Sequence, residues 1–315
     1  MQYRNLGKYG VKVSEVALGG WLTHGRSLDD DTTTKIVHRA FELGINFFDT
    51  ADVYNKGEAE ISLGKAIKSL RRDDMFIATK CFWPMTEAIN DRGLSRKHIV
   101  ESVHNSLKRL EIDTIDLFQF HRFDPETPME EMVRAVDDLI RQGKIQYWGV
   151  SCWSAGQIMD ACHTARAWNC CLPVSNQPPY NMLNRDIECD VIPTSERLGL
   201  GQVVFSPLAQ GVLTGKYLPG QARPEGSRGA DPKSNQFMER QLQDDVLAKV
   251  VELGKIAQSQ GLSMGQFALA WCLRQGNVSS VIVGATSIAQ LEENVGAVGK
   301  VIDPSVWERV DEVLA

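Results

Sequence analysis

A closed (β/α)8 barrel, α/β in class, with an amino-terminal hairpin and extra carboxy-terminal helices, is the fold this sequence predicts. Three observations predict it. Short apolar, β-prone runs recur eight times along the 315 residues. Most are separated by one segment with apolar residues at helical spacing, and the repeat of roughly 30 residues is the size of a βα unit. Most of the runs also end in a polar or ionisable residue. Repeated βα units imply a parallel sheet with helices outside it, and eight units close that sheet. A doubly wound open sheet is the alternative. No linker divides the chain, so residues 1–315 are expected to form one domain.

Each element follows from local pattern. Tyr3 to Val13, with Gly7 and Gly10 between β-prone pieces, reads as a small hairpin. Val16 to Leu18 is a short buried strand that opens into Gly19-Gly20-Trp21. Ile36, Val37, Ala40, Phe41 and Leu43 make a helical stripe that stops at Gly44. Ile45-Asn-Phe-Phe-Asp49 is then a buried strand ending in an acid, with Tyr54 five residues later. Residues 59–70 read as a helix, and Met75 to Lys80 as a strand ending in a lysine. Ser95 is placed to cap a helix carrying Ile99, Val103, Leu107 and Leu110. Thr114 to His121 is a strand ending in a histidine. Residues 129–142 form a helix stopped by Gly143, and Ile145 to Ser151 is a strand ending in a serine. Ser154 caps the next helix. Pro173 to Gln177 and Gly201 to Ser206 are two more strands with polar ends, and Ser279 to Gly284 is the last. A Gly/Pro-rich loop over 218–232 interrupts the rhythm before two further helices, and such a long loop is usually a lid or a binding loop. Helices are expected over 288–298 and from Pro304 to Leu314, the proline suiting a first helical turn.

Composition narrows the function classes. The net charge of −6 argues against a nucleic-acid or anionic-membrane partner. No apolar run is long enough to span a bilayer, and the opening Met1-Gln-Tyr-Arg-Asn5 lacks a signal-peptide core. Seven scattered cysteines with no C-x-x-C pair suit reduced thiols in a cytoplasmic protein.

In such a barrel the carboxyl ends of the strands share one rim, and the active site lies there. The strand ends bring Asp49, Lys80, His121, Ser151, Gln177 and Ser206 to that rim, with Tyr54 in a loop. A buried Asp–Lys pair alone is usually structural, as is a lone histidine at a strand end; the convergence of all four types favours chemistry. A free tyrosine, with a pKa of about 10, is a poor acid near neutrality. Lys80 beside Tyr54 would make the phenol more acidic, Asp49 would hold the ammonium, and His121 would orient a substrate oxygen. A carbonyl receiving a hydride is a suitable proton acceptor.

The stretches Gly44-Ile-Asn-Phe-Phe-Asp-Thr-Ala-Asp-Val-Tyr54, Ala78-Thr-Lys80, Phe118-Gln-Phe-His121, Ser206-Pro-Leu-Ala-Gln-Gly211 and Val283-Gly-Ala-Thr286 together resemble the aldo-keto reductase family over essentially the whole chain. The sequence is most similar to the branch that holds potassium-channel β-subunits and bacterial glyceraldehyde-phosphate reductases. Residues 90–98 are similar to the former, 177–185 and 208–217 to the latter. The resemblance implies a catalytic tetrad at Asp49, Tyr54, Lys80 and His121. Channel subunits typically carry asparagine at the fourth position, so His121 favours a working enzyme, as does the lack of an amino-terminal inactivation extension.

No G-x-G-x-x-G follows any expected strand, so a Rossmann phosphate site is not supported. The resemblance implies instead NADP(H) lying extended across the barrel mouth. Gly20, Trp21 and Asp49 would border it. Ser151 and Gln177 would bond the carboxamide, and Phe205 would lie against the nicotinamide ring. Ser206, Pro207, Leu208, Ala209 and Gly211 would follow the pyrophosphate, and Lys216 and Arg228 would bracket the 2′-phosphate. Gly284 and Thr286 would approach the adenosine phosphate, and Gln290, Glu293 and Asn294 would hydrogen-bond the adenine end. No metal is implied. The implied reaction is reduction of a small carbonyl substrate by hydride transfer from nicotinamide C4, with proton donation from Tyr54. Trp21, Phe82, Trp83 and Trp153 are candidate pocket walls. A non-catalytic channel-type β-subunit is the competing reading, and an aldolase-like Schiff base on Lys80 is a third. Relatives assemble as tetramers or larger, which allows a homo-oligomer here.

Overall fold

The computed structural model describes residues 1–231, 235 and 238–315. An antiparallel hairpin, β1 (Tyr3–Asn5) and β2 (Lys12–Ser14), precedes eight parallel strands that close into a barrel. These are β3 (Val16–Gly19), β4 (Phe47–Asp49), β5 (Phe76–Cys81), β6 (Ile115–Phe120), β7 (Ile145–Ser151), β8 (Ser175–Gln177), β9 (Gly201–Val204) and β10 (Val278–Val283). Closure is made by β10 pairing in parallel with β3, Val281 in register with Val16.

Ten helices are found among the described residues: α1 (Asp30–Glu42), α2 (Glu58–Ile67), α3 (Arg96–Leu110), α4 (Met129–Arg141), α5 (Ala155–Ala167), α6 (Val191–Leu198), α7 (Asp244–Ser259), α8 (Met264–Leu273), α9 (Ile288–Val295) and α10 (Pro304–Leu314). Their starts are set by side-chain caps. Asp29 accepts from the Thr32 amide and so begins α1, ahead of the stripe that starts at Ile36. Ser95 accepts from the His98 amide, and Ser154 forms a reciprocal capping box with Gln157. The periodicity-based expectation lacks α6. That helix has eight residues, Pro193 lies inside its first turn and no side chain caps it, so it depends on packing Val191 and Ile192. The interval after β9 holds α7 and α8, as expected. The last residue of the expected loop, Pro232, lies outside the described residues.

Strand alternation sorts the core into two layers. Phe48, Ile77, Phe118 and Val204 face the helices in the larger cluster. Ala17, Phe47, Phe76, Leu117, Val203 and Ile282 fill the barrel interior, joined by Leu6 and Val13 from the hairpin region, which stopper that end. Arg4 fixes the stopper: its guanidinium donates to the carbonyls of Leu273 at 2.7 Å and Val278 at 2.8 Å and pairs with the buried Glu15 at 2.7 Å. The opposite, carboxyl-terminal rim is left for ligands.

Candidate active site at the barrel rim

Asp49 ends β4, Lys80 is the penultimate residue of β5, Ser151 ends β7 and Gln177 ends β8. His121 follows β6 directly, and its amide donates to the Cys81 carbonyl at 3.0 Å. Parallel pairing puts all of these on one rim. Tyr54 opens a short 3-10 turn, Tyr54–Gly57, in which Asn55, Lys56 and Gly57 all take left-handed φ values. The Asn55 amide group donates to the Gly25 carbonyl, which ties this turn to the loop after β3.

A carboxylate at the end of an apolar strand is costly unless it is paired. Here each Asp49 oxygen has a donor: Oδ2 accepts from Lys80 Nζ at 2.7 Å and Oδ1 from Gln177 Nε2 at 2.8 Å. Lys80 is fully buried. Its ammonium also donates to the Thr50 carbonyl at 2.7 Å and to Tyr54 Oη at 3.5 Å. Ser151 Oγ donates to the Gln177 carbonyl at 2.8 Å. The His121 ring stands edge-on to Tyr54, with centroids 5.7 Å apart. Asp49, Tyr54, Lys80 and His121 are therefore in one constellation.

The electrostatics correct one expectation. Burial raises the Tyr54 pKa above its ordinary value, and the lowering effect of Lys80, though in the expected direction, does not overcome it. The phenol thus stays protonated at neutral pH. Burial pulls the Lys80 ammonium down, but Asp49 and Tyr54 outweigh it and the net shift is upward. Burial, then Lys80 and Arg122, hold His121 well below its ordinary value, so its imidazole is neutral. Its buried Nδ1 has no hydrogen-bond partner among the described residues.

Trp21 and Trp83 are each 39% exposed at the rim, as wall residues would be. Phe82 packs edge-on against Trp83. Trp153 is buried against Phe120 and Phe123 and belongs to the core. The sequence reading missed Arg122, which follows His121, donates to the His121 carbonyl at 2.6 Å and lies 5.8 Å from the Trp83 ring. A cation directly after a strand-end histidine was the available signal. It also missed a buried layer behind the site. Asp52 accepts from Ser102 Oγ at 2.9 Å and the Val53 amide at 2.6 Å, and burial and the nearby Glu60 push its pKa up to about 7. Glu60 itself is bound by Thr79 and Arg109.

The segments expected to border a cofactor lie as follows. The Gly20 amide donates to the Asp49 carbonyl at 2.9 Å, and Trp21 lies under the Arg228 guanidinium at 4.9 Å. Phe205 is half-buried just beyond β9, its amide donating to Pro178. The 206–211 turn curls through left-handed φ at Ser206, Ala209, Gln210 and Gly211, with Pro207 buried and Leu208 half-buried. Lys216 is exposed, reaches back over Gly211, and makes no ion pair among the described residues. Gly284 is exposed, with open space where a Cβ would stand. Thr286 donates through its amide and hydroxyl to Gln290 Oε1, at 2.9 and 3.0 Å. Glu293 is exposed and Asn294 buried on α9. An exposed lysine without a counter-ion and open backbone before a helix N-terminus fit phosphate groups.

A barrel with this rim is a scaffold for oxidoreductases among other enzymes, so the fold alone does not decide the class. The family comparison does: the Aldo/keto reductase family model matches residues 15–315, and the chain belongs to that family. Membership supports carbonyl oxidoreductase activity, in a family that generally uses NAD(P)H. Over its full length the chain is 45% identical to an Arabidopsis thaliana protein named "probable voltage-gated potassium channel subunit beta", covering 97% of that protein. A protein of the same name from Oryza sativa subsp. japonica is 43% identical, with the same coverage of both chains. No helix among the described residues is long and apolar enough to cross a membrane.

Proposed function

We propose that this protein is an NADPH-dependent reductase that converts small aldehydes or ketones to alcohols, acting in the cytoplasm with residues 1–315 as one domain. The observation that carries the reading is Lys80 Nζ, 2.7 Å from Asp49 and 3.5 Å from the Tyr54 hydroxyl, beside a neutral His121. Ser151, Gln177 and Phe205 would hold the nicotinamide end, the 206–211 turn the pyrophosphate, Lys216 and Arg228 the 2′-phosphate, and Gly284, Thr286, Gln290, Glu293 and Asn294 the adenosine. When bound, NADPH supplies the hydride. Tyr54 gives its proton to the carbonyl oxygen, and the adjacent ammonium stabilises the phenolate left behind. Asp49 keeps Lys80 charged and aimed. His121 donates a hydrogen bond to the same oxygen from an uncharged ring and so fixes the carbonyl without competing as an acid.

Tyr54→Phe removes the transferable proton and little else. Turnover of 4-nitrobenzaldehyde is expected to fall about 10²–10⁴-fold, while NADPH affinity, read by fluorescence titration, stays within a few-fold. Unchanged turnover would reject the assignment. The names of the two relatives support a second reading, a channel-type β-subunit with slow or no turnover. Steady-state rates of the wild-type protein with NADPH separate the two.

A further inference from the structure

We propose that Arg122 selects carbonyl compounds that carry an oxyanion, a carboxylate or a phosphate, a few bonds from the carbonyl. The proposal rests on the reductase reading and names the substrate class of that site.

The charges at the rim do not cancel. Lys80 is matched by Asp49 at 2.7 Å. No carboxylate among the described residues forms an ion pair with Arg122. The nearest acid in sequence, Asp124, is committed elsewhere: it accepts from the Leu94 amide at 2.7 Å, the Glu126 amide at 3.0 Å and the Thr127 hydroxyl at 2.8 Å. A guanidinium has five N–H donors. Arg122 spends one nitrogen on the His121 carbonyl, which anchors the group beside the site, and its other donors make no hydrogen bond within the described residues.

The position of that charge matters as much as its lack of a partner. Arg122 is half-buried and lies 5.8 Å from the Trp83 ring. Trp83 is 6.4 Å from His121, and His121 is 5.7 Å from Tyr54. Proton donor, imidazole, exposed indole and guanidinium thus each lie beside the next. A carbonyl oxygen between Tyr54 and His121 leaves the rest of a small substrate along Trp83, with its far end towards Arg122. A planar guanidinium fits carboxylate and phosphate oxygens bidentately. The bland alternative is that Arg122 only braces the end of β6.

The test compares matched substrates at fixed ionic strength with NADPH. One pair is 4-carboxybenzaldehyde and methyl 4-formylbenzoate; the other is glyceraldehyde 3-phosphate and glyceraldehyde. The readout is the ratio of kcat/KM, anionic over neutral, within each protein, so a general loss of activity cancels. Arg122→Leu is expected to lower that ratio about 10- to 100-fold for at least one pair. Arg122→Lys is expected to fall between, and 0.5 M NaCl to lower the wild-type ratio. The affected pair identifies the carboxylate or the phosphate. Should the leucine variant not fold, Arg122→Gln reads the same ratio. Ratios unchanged by substitution and by salt in both pairs would overturn the proposal while leaving the reductase reading intact. No turnover of any of the four compounds by the wild type would overturn the reductase reading, and this proposal with it.

Discussion

Lys80→Met tests the buried ion pair at its centre. The substitution keeps the length of the side chain and removes its charge. Asp49, only 3% exposed, then keeps the Gln177 donor and loses the ammonium. Removing one partner from a buried pair costs about 3–5 kcal/mol, because the other charge is stranded. Losing the bond to the Thr50 carbonyl adds about 1 kcal/mol. Asp49→Asn strands the ammonium in the same way and should cost about 3–5 kcal/mol. The double variant strands neither charge, so its cost should fall short of the sum of the two by about 3 kcal/mol or more. Urea unfolding followed by tryptophan fluorescence measures all four corners of the cycle. Singles that each cost under about 1 kcal/mol, or a double variant that equals their sum, would refute the argument that this pair is desolvated and mutually dependent.

Three further outcomes are expected. Folding raises the Asp52 pKa to about 7, so the folded protein holds that proton more tightly than the unfolded chain. Ionised Asp52 therefore opposes folding, fully above pH 7, with the penalty fading as pH falls towards 4. Asp52→Asn, which keeps an acceptor for the Val53 amide, should stabilise by up to about 4 kcal/mol at pH 8 and far less at pH 4.5; equal effects at the two pH values would contradict this. Because Tyr54 is shifted upward and His121 well downward, single-turnover reduction should show no inflection near pH 6.5 and should decline only above pH 10; an acid limb that His121→Gln abolishes would count against it. Arg4→Ala leaves Glu15 buried without its partner and should lower stability by about 3 kcal/mol in urea titrations, with Arg4→Lys recovering part of the loss.

What could be read from the chain follows from how locally each feature is encoded. The eight strands were legible because each is a short β-prone run, most of them cut off by a polar residue, and the long helices because their stripes repeat. α6 was not, since eight residues with Pro193 inside have too few turns to show a period. α9 ends at Val295, three residues short of the expected Val298, because Gly296 caps it. At the site, Asp49, Lys80 and His121 were legible as types at strand ends, and Tyr54 in the loop that follows the first of them. Their environment was not. The burial that raises Tyr54 against the pull of Lys80 comes from side chains on several elements. The Gln177 contact to Asp49 joins residues 128 positions apart, and Glu60 meets Arg109 49 positions on. No local pattern carries such pairings.

The ring is closed by its first and last staves, β3 and β10, with Arg4 clasping the carbonyls of Leu273 and Val278. On the ribosome, β3 therefore emerges with one flank bare and waits for nearly the whole chain. At roughly 5–20 residues per second that wait lasts on the order of tens of seconds. Through that time an unpaired apolar edge is available for mispairing, as in other folds dominated by distant contacts. The nascent chain is therefore a natural client for chaperones until Val278–Val283 has cleared the exit tunnel.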